Sequence, residues 1–487
     1  MFRDANVGIE PLGLGTGFGL VLLSNLFWGA SAVMAKAKNT GRLSAAERAS
    51  LLQTSRITAP VTVQVRPSQV VVERDVSFET LPGYKTIQIQ KQAADILGLS
   101  NPFYRKHQAR AGARSVVDGR GILNFASYDY LGLNGHPRIT EAVCAAAREW
   151  GTSVSASRLT AGERDCHRQF EARLAEIYGM QDCLVHVSGH ATNVSTIGSL
   201  MGPKDLIVHD SLAHNSIVVG AHQSGAHRIV FAHNDIESLA EILNQHRDRY
   251  ERCLIVTEGL FSMDGDGPDL AGLIELKTRF GAWLMIDEAH SLGVLGATGR
   301  GLAERQGIDP AQVDIWMGTL SKTLVSCGGY IAGPAALIEY LRFNSPGMVY
   351  SVGLPVPATV AAMTALEIMF DEPDRIRRLQ ANGKRFLDGA KARGLDTGTS
   401  WGLAITPLIL GDSLRAVMLA DRLFRRGINA FPIIPPGVPE KSARLRFFIS
   451  ASHEPSDIDA AVDAVAEEFE TLSAEGISVE TVARQMR

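Results

Sequence analysis

From residue 122 to about residue 360, short apolar runs alternate with amphipathic stretches. Residues 183–186, 206–209, 228–231, 253–257, 282–287 and 315–318 predict strands, and residues 236–247 and 270–280 predict helices between them. Strands that are apolar on both faces and separated by helices indicate a mostly parallel sheet covered on both sides. In such sheets ligands sit at the carboxyl ends of the strands. Residues 373–473 then read helix, strand (405–410), helix (413–426), strand (444–449), helix (455–472), a smaller α+β unit. The expected organisation is α/β, with a large domain over 136–360 and a small C-terminal domain over 361–475. A tail follows at 476–487. Residues 46–135 read as a connector and N-terminal arm, with β-rich runs at 61–65 and 70–72, a break at Leu81-Pro82-Gly83-Tyr84 and an amphipathic helix over 91–99.

Residues 1–45 form a hydrophobic N-terminal segment in which Pro11 to Ala35 is a run of 25 residues without a charge. A bilayer needs roughly 20 apolar residues, but Gly13, Gly15, Gly17, Gly19, Ser24, Asn25 and Ser31 interrupt the run. Two readings stand: a membrane anchor and a hydrophobic surface or interface helix. A cleaved signal peptide fits less well, because Arg3 is offset by Asp4 and Glu10. If the stretch spans, Lys36, Lys38, Arg42 and Arg48 place the rest of the chain in the cytoplasm. The expected location is thus cytoplasmic, free or held at the cytoplasmic face of a membrane.

Composition removes several classes of function. Apolar residues make up 45% and charged residues 21%, with a net charge of −4, which excludes a disordered chain and a basic nucleic-acid-binding surface. The 47 glycines point to tight strand-to-helix turns of the kind that bind cofactors. Cys144, Cys166, Cys183, Cys253 and Cys327 are scattered and never spaced as CxxC, so neither a disulfide framework nor a cysteine metal site is expected.

The sharpest local feature is the run from Ala282 to His290, in which an apolar strand delivers Asp287 at its carboxyl end and His290 three residues later. The tetrapeptide Asp287-Glu288-Ala289-His290 also occurs in helicases, but no GxxxxGK[ST] loop is present, which removes the nucleotide-hydrolase reading. Alone, the aspartate could simply cap a turn. Thirty-five residues on, Lys322 follows another apolar strand, flanked by Leu320 and Leu324. A partly desolvated lysine is a candidate Schiff-base former. Upstream, Val187-Ser188-Gly189-His190-Ala191-Thr192-Asn193 passes from strand to helix, where free backbone N–H groups can hold a phosphate. A lysine, an aspartate and a phosphate-holding helix start are together what pyridoxal 5′-phosphate requires.

Further motifs make the resemblance specific: residues 124–133 (NFASYDYLGL), 155–159 (SASRL), 257–266 (TEGLFSMDGD), Thr319 to Lys322, and Arg444-Leu445-Arg446 followed by Ser450-Ala451-Ser452-His453. With these the chain resembles the α-oxoamine synthases, fold-type I pyridoxal-phosphate enzymes that include serine palmitoyltransferase and amino-oxononanoate synthase. The resemblance runs from about Leu81 to Leu472. It implies that Lys322 forms the imine with the cofactor and then acts as the base at the amino acid's Cα. It implies that Asp287 pairs with the pyridine nitrogen, His290 bonds the ring 3′-oxygen and His214 stacks on the ring. Ser188, Gly189, His190 and Thr319 would hold the phosphate, Ser262 would lie near the cofactor, and Arg446 would bind the substrate carboxylate, with Arg444 as the alternative one register away. A homodimer is implied, with Ser351 reaching the partner's phosphate.

Two positions depart from relatives. Amino-oxononanoate synthases carry asparagine where Tyr128 stands, which resembles serine palmitoyltransferase more closely, so Tyr128 is taken as a substrate-binding residue. Many relatives carry threonine where Val352 stands, and valine cannot donate that hydrogen bond. The expected activity is a decarboxylative condensation of a small amino acid with an acyl thioester on coenzyme A or an acyl-carrier protein. Serine with a long acyl chain, as in sphingolipid synthesis, is the preferred pair. Alanine with a pimeloyl thioester is the nearest alternative, and a polyketide-linked synthase another. A pyridoxal-phosphate aminotransferase or lyase would share Asp287 and Lys322, whereas a silent partner subunit would lack the lysine.

Overall fold

The computed structural model describes residues 76–481. The uncharged stretch at 11–35 and the runs at 61–65 and 70–72 lie outside the described residues. The first long helix of the described residues, Pro82–Ile96, begins at the Pro-Gly pair expected to break the chain and nine residues before the expected helix. Proline is tolerated in a helix's first turn because the missing N–H has no intrahelical acceptor there. Strands β1 (Arg114–Val117) and β2 (Arg120–Asn124) form a hairpin inside the expected connector. Asp118 and Gly119 both have positive φ in its turn, the geometry of a two-residue hairpin loop, and this Asp-Gly pair is the signal available in the sequence.

Seven strands build the central sheet: β3 (Asp182–His186), β4 (Leu206–Asp210), β5 (His227–Phe231), β6 (Cys253–Glu258), β7 (Trp283–Asp287), β8 (Ile315–Thr319) and β9 (Gly329–Gly333). Their order is β3-β9-β8-β7-β6-β4-β5. Five neighbours from β5 to β8 run parallel, and β9 is antiparallel to β8 and β3. Successive residues supply opposite cores: Ile255, Leu284, Ile286 and Trp316 pack into one, and Leu254, Val256, Met285, Ile315 and Met317 into the other. That is why these strands read as continuous apolar runs. The six expected strands fall on β3 to β8. The seventh, β9, is Gly-Tyr-Ile-Ala-Gly, too glycine-rich to be read as a strand.

The C-terminal section contributes β10 (Ile405–Ile409), β11 (Ile428–Asn429), β12 (Phe431–Ile433) and β13 (Arg444–Phe448). β10, β13 and β12 form an antiparallel sheet, while β11 pairs with β2 and so joins the early hairpin to the end of the chain. The expected helices at 413–426 and 455–472 appear as Ser413–Arg425 and Pro455–Ala474. From Pro82 onward the chain is one compact unit. Among the described residues no helix is long and apolar enough to cross a membrane.

Candidate active site

The parallel register sets the site. Asp287 ends β7 beside Glu258, which ends β6, and opposite Met317 of β8. Lys322 follows β8 by three residues, so the turns after β6, β7 and β8 converge on one edge of the sheet. The helix Gly189–Leu200 starts at the same edge, after β3. Its close approach depends on two glycines. A Cβ on Gly189 would lie 2.7 Å from Thr319 Oγ1, and one on Gly329 would lie 2.8 Å from Gly189 Cα. Both are closer than real Cβ contacts, so the helix start, Thr319 and β9 can pack together only without side chains there.

A cavity of about 230 Å³ opens at this edge. Ser188, Gly189, His190, His214, Asp287, His290, Thr319 and Lys322 all line it. The structure thereby gathers eight of the expected residues from segments more than 130 positions apart. At one end Ser188 caps the helix, its Oγ accepting from the Ala191 N–H, and the first N–H groups of the helix have no intrahelical acceptor. Thr319 Oγ1 donates to the Gly328 carbonyl at 3.0 Å and lies 2.8 Å from Ser321 Oγ.

Asp287 is buried and held on both oxygens: Oδ1 accepts from the Ala289 N–H at 2.9 Å and Oδ2 from Asn193 Nδ2 at 2.8 Å. Lys322 feels opposing influences. Desolvation drives its amine down and the charge of the Asp287 carboxylate pushes it partly back up, leaving it lowered to about 8. An amine so placed exchanges its proton readily near neutral pH. Burial depresses the His214 imidazole, against the pull of Asp287, with Lys322, His190 and Arg446 pushing the same way as burial. His290 lies well below the ordinary histidine value, chiefly through burial. Its Nδ1 is 2.6 Å from Tyr130 Oη, a phenol that burial keeps protonated. With Tyr130 donating, His290 keeps its proton on Nε2.

The remaining expected residues lie outside that cavity wall. Arg446, on β13, is buried; its Nη1 donates to the Ser262 carbonyl at 3.1 Å and its guanidinium lies 4.4 Å from the centre of the Phe448 ring. Among the described residues its Nε is buried without a partner, a donor free for an incoming anion. Arg444, two residues earlier, is already neutralised by Asp264 at 2.6 Å. Tyr128 is 42% exposed and its ring centre lies 5.9 Å from Lys322 Nζ. Tyr128 and Lys322 share the wall of a second cavity of about 500 Å³. Ser262 meets the site through its carbonyl on Arg446. Ser351 is half-buried, flanked by the exposed Tyr350 and Val352.

Four residues of the site are not singled out by the sequence. Asn193 and Ser216 make the contacts to Asp287 and His214, and Tyr130 makes the contact to His290. Glu258 is the fourth. Burial, reinforced by Asp287, raises its carboxyl well above the usual range, so it stays neutral beside Asp287. Tyr130 and Glu258 lie inside motifs that carry the family resemblance, but nothing in their spacing announces these partners.

This arrangement fits pyridoxal 5′-phosphate: a helix start and hydroxyls at one end, a fixed carboxylate facing inward, a desolvated lysine, and imidazoles on the walls. The comparisons agree. The model of the aminotransferase class I and II family matches residues 120–465. A putative 8-amino-7-oxononanoate synthase of Gloeobacter violaceus is 42% identical over 361 residues, 74% of this chain and 92% of that protein. The 8-amino-7-oxononanoate synthase of Thermoanaerobacter pseudethanolicus is 36% identical over 357 residues, 73% of this chain and 90% of that protein. Among solved structures, the serine palmitoyltransferase of Sphingomonas wittichii superposes with a TM-score of 0.77 at 26% identity, covering 81% of this chain and 99% of that one. The 8-amino-7-oxononanoate synthase of Francisella tularensis gives 0.62 at 26% identity, covering 73% and 99%. The chain therefore belongs to the aminotransferase class I and II family and, within it, to the α-oxoamine synthases, pyridoxal-phosphate-dependent acyltransferases that lose the amino acid's carboxyl group.

Proposed function

We propose that this chain condenses alanine with a seven-carbon dicarboxylic acyl thioester, releasing carbon dioxide and the free thiol. The observation that carries this reading is identity of 36–42% over at least nine-tenths of the length of relatives named 8-amino-7-oxononanoate synthase. The product name specifies the substrates. A nine-carbon acid with an amino group at carbon 8 and a ketone at carbon 7 is alanine without its carboxyl, joined to a pimeloyl group. This displaces serine with a long acyl chain, the pair favoured by Tyr128 and the uncharged N-terminal stretch.

The cofactor, when bound, supplies an electron sink for the negative charge that develops at the amino acid's Cα. The Asp287 carboxylate, fixed by Asn193 and Ala289, would supply the negative charge that keeps the ring nitrogen protonated. Lys322 would anchor the cofactor and move a proton at Cα, a task suited to an amine lowered to about 8. Ser188, Gly189, His190 and Thr319 would hold the phosphate, His214 would lie against the ring, and His290 would offer its Nε2–H to the ring oxygen. Ser262 supports Arg446, whose unpartnered Nε binds the substrate carboxylate. Tyr128 lines the acyl approach, and Ser351 serves the second protomer of a homodimer. Residues 136–360 form the cofactor-binding part and 361–475 the smaller part.

Thiol release with alanine, serine and glycine, each against pimeloyl and palmitoyl thioesters of coenzyme A and of acyl-carrier protein, tests the assignment. Alanine with a pimeloyl thioester should be fastest. Serine with palmitoyl thioester outrunning it would return the reading to serine palmitoyltransferase, and carrier-protein thioester outrunning the coenzyme A form would identify the donor.

A further inference from the structure

A chain of hydrogen bonds runs behind the candidate site. Asp287 Oδ2 accepts from Asn193 Nδ2 at 2.8 Å; the same Nδ2 donates to Ser216 Oγ at 2.9 Å; Ser216 Oγ lies 2.7 Å from His214 Nδ1. Asn193 and Ser216 are buried, in the helices that follow β3 and β4, and 94 positions separate Asn193 from Asp287. The chain has a direction. A carboxylate only accepts, so the amide of Asn193 must turn its NH₂ toward Asp287, and its Oδ1 is left buried without a partner among the described residues. The second hydrogen of that NH₂ occupies a lone pair of Ser216 Oγ, which leaves the hydroxyl hydrogen for His214 Nδ1.

A second contact leads to the same atom. His214 is the N-cap of the helix Asn215–Ser224, and its Nδ1 accepts from the Ser216 backbone N–H at 3.3 Å. Two donors from one residue thus converge on Nδ1, which can accept them only while unprotonated. We propose that Ser216 and Asn193 are positioning residues that lock His214 in the tautomer with its proton on Nε2, so that the ring presents an N–H donor to the cavity. The orientation originates in the charge of Asp287 and is relayed through two neutral side chains to a histidine on a different loop. The inference deepens the reading above and rests on it for the identity of what His214 faces.

Other groups around His214 are Lys322, His190, Arg446 and Asp287, and Glu258 accepts from its backbone N–H. None changes when Ser216 is replaced, so that substitution isolates the hydroxyl. The test is nitrogen NMR of the full chain labelled with ¹⁵N-histidine, with and without added pyridoxal phosphate, the His214 signals being assigned by their loss in His214→Asn. The wild type should show an unprotonated Nδ1 and a protonated Nε2. In Ser216→Ala the tautomer preference should weaken and the imidazole pKa rise by about one pH unit, because the neutral form loses a donor. Asn193→Ala should move both in the same direction, and Ser216→Thr should restore the wild-type pattern. A protonated Nδ1 in the wild type, or a ratio unmoved by Ser216→Ala, overturns the proposal. Failure of the cofactor reading shows separately, as absence of a visible absorption band in every protein with the tautomer result unaffected.

Discussion

Asp287 and Lys322 owe their visibility in the sequence to position: Asp287 directly ends one apolar run and Lys322 comes four residues after another, where the end of a buried strand is implied. Their partners are harder to see. Asn193 sits in an ordinary helical stretch, and only folding brings it to Asp287; Glu258 reads as a strand-end acid like many others until its neighbour across the sheet is known. Two substitutions test the assignments at this scale. Asp287→Asn keeps the size of the side chain but removes its charge, and should cost at least about 3 kcal/mol of barrier stabilisation, roughly a hundredfold in turnover. Near-normal turnover would remove Asp287 from the mechanism. Arg446→Ala should raise KM for the amino acid far more than KM for the thioester, by about 1.5–3 kcal/mol for a charge-assisted hydrogen bond. Arg444→Ala should spare both, because Arg444 is committed to Asp264; the reverse outcome would mean that the carboxylate site lies one alternate residue along β13.

At the scale of elements, periodicity located the central strands to within a residue or two, because burial on both faces produces a pattern that nothing else in the chain imitates. It failed where composition and structure part company. β9 is a strand despite its two glycines because it packs beneath the helix start at Gly189, a tertiary demand that local propensity cannot express. The loops between elements are also fastened by contacts invisible to spacing. His233, after β5, bridges Asp210 at the end of β4 (2.9 Å) and Asp266 at the end of the 257–266 motif (3.2 Å). These bonds hold together the loop carrying His214 and the loop carrying Ser262. Both carboxylates are buried, and the hydrogen bonds and charges they offer outweigh desolvation, raising His233 to about 10. His233→Ala strands two buried carboxylates and should lower stability by about 3 kcal/mol in thermal denaturation at pH 7. The sign of the pH dependence follows from the raised value. The contribution is complete below the ordinary histidine pKa of about 6.5 and is lost as pH rises toward 10, so wild type and His233→Gln should converge in melting temperature over that interval. A constant gap would show that the bridge is not ionic.

For the whole molecule, the helix Pro82–Ile96 buries none of its residues and exposes Tyr84, Ile87, Ile89 and Ile96, while Tyr350 and Val352 are exposed around Ser351. Surfaces of this kind mark association, and sedimentation should give a homodimer at micromolar concentration; an active monomer would contradict it. Reaction class was readable from ordered motifs, because a cofactor needs several chemically distinct groups in fixed order along a known chain path. Substrate was not, because Tyr128 alone is one residue of a cavity of about 500 Å³ whose shape depends on segments far apart in the chain. The central claim is decarboxylative condensation of alanine at Lys322. The most direct measurement follows carboxyl-labelled alanine with pimeloyl thioester, in wild type and in Lys322→Ala. Labelled carbon dioxide, free thiol and 8-amino-7-oxononanoate should form in equal amounts with wild type and not with the variant. Amino-group exchange without carbon dioxide, or label release that does not depend on the thioester, would contradict the account.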